Sequence, residues 1–157
     1  MSAPVRARVI ALGQPSAGDD GVGVAVLAAL RARALPPDVE LSHLSDATAL
    51  VSLLDAQVPI ILVDAVLACP AGQVVELGPD ELASSEPLRM SSHGLGITEA
   101  IGLARALSDG ADVAPVRIVA ITIKRPERYG HSLSDEALAA VPVAAARVLS
   151  LLETDHA

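Results

Sequence analysis

The chain has 157 residues and a formal charge of −8, and 52% of its residues are apolar, which suffices for one sizeable core and excludes a disordered chain. The acidic balance argues against nonspecific binding to nucleic acid or to anionic membranes, which needs a basic face. With no Phe, no Trp and a single tyrosine, Tyr129, the chain also lacks a platform for stacking bases.

From the N-terminus, Met-Ser-Ala-Pro-Val-Arg-Ala-Arg leads straight into an apolar run without the apolar core or cleavage site of a signal peptide. No apolar run approaches the roughly 18 residues of a membrane span. The lone Cys69 leaves no partner for an internal disulfide. These features predict a cytoplasmic protein of one domain over residues 1–157.

Three apolar runs read as buried strands: "VIAL" at 9–12, "IILV" at 60–63 and "VRIVAI" at 116–121. Their near-continuous apolarity fits a parallel sheet covered on both faces. Weaker strands are expected at 39–41, after Pro36-Pro37, and at 73–77 as a short edge strand. Helical spacing of apolar residues appears over 22–33, 47–54, 98–107 and 135–152. Ser108-Asp109-Gly110 ends the third of these helices, Ser134 is positioned to cap the last, and Pro142 should kink or restart it. The irregular stretch 78–92 reads as a mobile loop. The β-α-β-α-β-(β)-α-β-α order predicts a three-layer α/β/α sandwich: a central, twisted, mostly parallel sheet of about five strands flanked by helices, in the manner of phosphorylases and hydrolases.

In such sheets ligands bind beyond the carboxyl ends of the strands, near the point where strand order reverses. A 2-1-3-4-5 order would place the loop after the first strand beside the end of the third. The first carries "GDDGVG", Gly18 to Gly23; the third ends "PIILVD" in Asp64. The acidic pair reads either as a turn with a helix N-cap or as a site, and Asp64 either as a strand-end carboxylate bonded to nearby amides or as a ligand. His93, in "SSHGLG", sits where the irregular stretch meets a helix; His43, His131 and His156 have weaker contexts. Asp20, Asp64 and His93 together would form an O,O,N donor set from three loops. Such a set leaves positions open for water or a substrate donor and suits zinc, nickel and other divalent metals.

Other chemistries fit poorly. Gly18, Gly21 and Gly23 reverse the glycine spacing of a dinucleotide fingerprint, and two adjacent aspartates would repel a pyrophosphate. There is no P-loop, no His-Glu-x-x-His and no Gly-x-Ser-x-Gly. Cys69, followed by Pro70 and remote in sequence from any histidine, reads as a structural thiol.

Four segments, "VIALGQPSAGDDGVGVAVLAAL", "VPIILVDAV", "SSHGLGITEAIGLARAL" and "ERYGHSLSDEALAAVP", resemble in sequence order the nickel–iron hydrogenase maturation proteases, over nearly the whole chain from Val9 onward. The resemblance implies a twisted sheet flanked by helices. It also implies an endopeptidase that removes a C-terminal extension from the hydrogenase large-subunit precursor after nickel insertion. By that resemblance the metal-binding positions fall on Asp20, Asp64 and His93, and Asp19 caps the helix or orients the loop. Nickel would be carried by the substrate, with zinc or another divalent metal able to fill the same set in the isolated protein. The partner would be the precursor, with no nucleic acid or membrane, and the protein a monomer. The chain departs from the family pattern at Ala11-Leu12-Gly13-Gln14, where Gly-x-Gly-Asn is usual, at Ser45-Asp46-Ala47-Thr48 and at Lys124-Arg125-Pro126. Two alternatives follow from these departures: a non-catalytic metal-binding chaperone or checkpoint module, and a divergent hydrolase acting on another substrate.

Overall fold

The computed structural model describes residues 4–13, 21–45, 47–55, 57–84, 89–90, 96–109, 112–124 and 133–154. In chain order these form β1 (Ala7–Leu12), α1 (Val22–Arg31), β2 (Val39–Leu44), a 3₁₀ turn (Ala47–Ala49) running into α2 (Leu50–Leu54), β3 (Ile60–Leu67), β4 (Val74–Leu77), α3 (Pro79–Ser84), β5 (Arg89–Met90), α4 (Ile97–Leu107), β6 (Val116–Ile123) and α5 (Asp135–Thr154). The strands lie in the order β2-β1-β3-β6-β4, and β5 pairs with β3 off this path. β2, β1, β3 and β6 are mutually parallel; β4 runs antiparallel to β6.

Strand alternation divides the core in two. Val9, Ala11, Ile61, Val63, Ala65, Val119 and Ile121 face α1 and α5, whereas Ile10, Leu12, Ile60, Leu62, Val66, Ile118 and Ala120 face α2 and α4. β3 and β6 are covered by helices on both faces, which explains their near-continuous apolar runs. This is the expected three-layer α/β/α sandwich.

β1 and β3 are neighbours, as in a 2-1-3-4-5 order, and β4 is the expected edge strand, although its place in the sheet departs from that order. β4 follows β3 in sequence but lies beyond β6. The connection between β3 and β4 spans only residues 68–73, too short for the crossover that parallel pairing needs, so β4 adds antiparallel. The slot beside β3 goes instead to β6, whose apolar residues suit an interior strand. The stretch 78–92 is not wholly irregular either, since it contains α3 and β5.

Local signals at helix ends hold well. Ser134 Oγ accepts from the Ala137 amide at 3.2 Å, the expected N-cap of α5. Ser108 caps α4, and Asp109 takes a φ of 51° just after it, a left-handed conformation that Asp tolerates. Pro142 does not restart α5, which continues to Thr154. Pro142 and Leu138, whose carbonyl the proline deprives of a donor, both lie on the solvent side, where water can take the missing bond. Among the described residues α5 is long and apolar enough to cross a membrane, contrary to the reading of the linear sequence. Its apolar stripe of Ala137, Ala140, Ala144, Val148 and Leu152 instead packs into the core with α1 and the sheet.

Candidate active site

Asp64 is fully buried, inside a strand whose other residues are apolar. The expectation that it ends β3 is corrected: the strand continues to Leu67. What ends at this point is one of its neighbours. The pairing of β1 with β3 stops at Ala11↔Val63, while β6 stays paired from Ile60↔Val116 through Leu67↔Ile123. β5 then takes the flank that β1 has left, through Val66↔Met90 and Leu67↔Arg89. Asp64 therefore lies where β3 exchanges a parallel neighbour for an antiparallel one. Here a ligand-binding crevice forms in sheets of this kind.

The Ala65 amide donates to Asp64 Oδ1 at 2.8 Å, so the carboxylate does serve the local backbone. Taking a carboxylate out of water costs several kcal/mol or more by order of magnitude, so a fully buried one must be held by its surroundings. Buried acids of this sort concentrate at functional sites. By strand alternation Asp64 falls on the sheet face that carries α4.

The first turn of α1 lies against the same strand ends. A Cβ added to Gly23 would stand 2.9 Å from the Val63 carbonyl oxygen, 3.2 Å from that of Leu12 and 3.3 Å from Ala11 Cβ. Only glycine permits this approach. The N-cap of α1 is Gly21, with no side-chain cap bond, which corrects the reading of the acidic pair as the cap itself. Asp19 and Asp20 lie outside the described residues, Asp20 next in sequence to Gly21.

His93 also lies outside the described residues, but the elements on either side of it are placed. β5 is bound to β3 two residues beyond Asp64, and Gly96 caps α4, its carbonyl accepting from the Ala100 amide at 3.0 Å. Among the described residues no three His, Cys, Asp or Glu side chains are grouped to hold a metal.

Two groups that the sequence did not single out for the site stand at its margin. His43 Nε2 is 2.7 Å from the Gly13 carbonyl oxygen. Thr122, buried near the end of β6, donates its hydroxyl to the Pro70 carbonyl at 2.7 Å and accepts from the Gln73 amide at 2.8 Å. It thereby ties the turn between β3 and β4 to the sheet. A histidine in a half-polar edge strand and a threonine in a mostly apolar one were the available signals. Cys69 is exposed on that turn, which corrects its reading as a packed structural thiol. Of the segments departing from the family pattern, Ala47 is buried and opens the 3₁₀ turn, while Gln14, Asp46, Arg125 and Pro126 lie outside the described residues.

The HycI family model, hydrogenase maturation protease, matches residues 25–151. The chain belongs to the hydrogenase maturation protease family. Membership makes it a peptidase with a role in hydrogenase maturation. The fold is similar to that of the NiFe hydrogenase maturation protease HybD from Thermococcus kodakarensis, at 25% identity and a TM-score of 0.74, over 94% of this chain and 99% of that one. It is also similar to the hydrogenase maturating endopeptidase HybD from E. coli, at 20% identity and a TM-score of 0.76, over 96% and 93%. HycI from Thermococcus kodakarensis shares the fold at 18% identity and a TM-score of 0.65, over 98% and 94%. No curated protein sequence matches the chain. The family match includes Asp64 and His93 and begins after the "GDDGVG" segment.

Proposed function

We propose that this protease removes the C-terminal extension of a nickel–iron hydrogenase large-subunit precursor after nickel insertion, and that Asp20, Asp64 and His93 read the metal in the substrate. The observation that carries the reading is the fully buried Asp64, set where β1 leaves β3 and β5 arrives. The close seating of Gly23 supports it by bringing the start of α1, which follows Asp20, against the carbonyl before Asp64. The pairing of Met90 with Val66 supports it by tethering the segment that leads to His93.

Two carboxylates and an imidazole suit nickel, and zinc in the isolated protein. Three protein donors leave positions open for the precursor's own ligands. Cleavage adds water across a peptide bond: the oxygen goes to the carbonyl carbon and a proton to the departing nitrogen. Asp20 or Asp64 would take the proton from water, with the substrate's nickel polarising the carbonyl beside it. Selectivity follows, because a precursor without nickel offers the site nothing to ligate. The proposal includes a cytoplasmic monomer that works as one domain over residues 1–157, with no role for nucleic acid or membrane. Peptidase family membership favours it over a non-catalytic checkpoint module.

The test is incubation with nickel-loaded and nickel-free precursor, read by mass spectrometry. The loaded form should be cut and the nickel-free form left intact, and Asp20→Asn should slow cutting of the loaded form by about a hundredfold or more. Equal cutting of both forms, or undiminished cutting by Asp20→Asn, overturns the metal-reading account.

A further inference from the structure

Both backbone polar groups of Gly13 are held by consecutive residues of β2. Its amide donates to the Leu44 carbonyl at 3.3 Å, and its carbonyl meets His43 Nε2 at 2.7 Å. A carbonyl only accepts, so Nε2 carries the hydrogen. Gly13 is buried and has a φ of 134°, a conformation that side-chain-bearing residues rarely adopt. Where the backbone turns off the β1–β2 ladder, its carbonyl would lose its strand partner, and the imidazole supplies one. A buried carbonyl left unpaired is costly, so this bond specifies how the chain departs from β1.

We propose that His43 is a positioning residue for the connection between β1 and α1, fixing its near end as the seating of Gly23 fixes its far end. This rests on the reading of Asp20 as a metal-reading residue, since Asp20 belongs to that connection. The far end is held by backbone packing: Gly23 is pressed against the Val63 and Leu12 carbonyls. At the near end a side chain does the holding. Loss of the imidazole should loosen the connection while leaving Asp64 and the sheet in place, because His43 lies on the edge strand and pairs with Ala11 rather than with β3.

The experiment compares wild type, His43→Ala, His43→Gln and Asp20→Asn by amide hydrogen exchange and by calorimetric titration with Zn²⁺. The Gln amide nitrogen reaches about as far along the side chain as Nε2 and can donate the same bond. In His43→Ala, exchange across residues 13–21 should quicken by about three- to tenfold while the core strands keep their protection, and Zn²⁺ affinity should fall by a similar factor. His43→Gln should restore most of both. Wild-type exchange and affinity in His43→Ala, quickened exchange throughout the sheet, or no rescue by His43→Gln overturns the proposal. Asp20→Asn separates the two readings: unchanged Zn²⁺ affinity there removes Asp20 from the metal site, whereas the exchange data still decide what His43 holds.

Discussion

Gly23 and Val63 stand so close that a single added carbon on Gly23 would lie 2.9 Å from the Val63 carbonyl oxygen. The contact joins the first turn of α1 to the residue before the buried Asp64, so the seating of α1 beside Asp64 depends on a missing side chain.

Replacing that hydrogen by a methyl group should therefore be felt at the site. In Gly23→Ala the obstructing atoms are the Val63 and Leu12 backbone oxygens and Ala11 Cβ, none of which can swing aside as the end of a long side chain could. The helix must shift, at a cost of about 1–3 kcal/mol in urea unfolding. Precursor cleavage should fall well beyond what that loss of folded protein explains. Wild-type cleavage by a stably folded Gly23→Ala protein would contradict the role given to this contact.

Asp64→Asn separates structure from chemistry. The Asn side-chain oxygen can still accept from the Ala65 amide, the bond that Oδ1 makes at 2.8 Å, so the melting temperature should stay within a few degrees of wild type. Cleavage of nickel-loaded precursor should nevertheless drop by about a hundredfold or more, because the amide supplies neither the negative charge nor the basicity. A melting temperature far below wild type with cleavage retained would mark Asp64 as structural only.

Thr122→Val tests the tie between β6 and the β3–β4 turn. Valine keeps the shape and loses the hydroxyl that bonds the Pro70 carbonyl and the Gln73 amide. Stability should fall by about 1–2 kcal/mol in chemical denaturation, and Thr122→Ser should recover most of it. Equal stability of the valine and wild-type proteins would show that water replaces both bonds without loss.

Much of the fold was legible in the linear sequence, and for a local reason in each case. Strands buried on both faces must be apolar at nearly every position, so "VIAL", "IILV" and "VRIVAI", broken only by Arg117, announced a parallel sheet. Ser134 announced the start of α5 because a cap bond spans only three residues. Asp64 stood out for the same kind of reason, as a charge directly after four apolar residues.

Tertiary structure alone decided what depends on distant partners. That β4 pairs with β6 rather than β3, that β5 takes the place β1 gives up, and that His43 completes the Gly13 carbonyl all join segments dozens of residues apart or set by competition for one strand edge. Local preference cannot rank such pairings, because their free energy comes from the neighbour gained and not from the segment itself. Residue types thus determined that this chain builds a covered parallel sheet with an acid directly after four apolar residues of its third strand. The partners of each strand decided that the acid lies buried at an exchange of neighbours, with the start of α1 pressed against the residue before it.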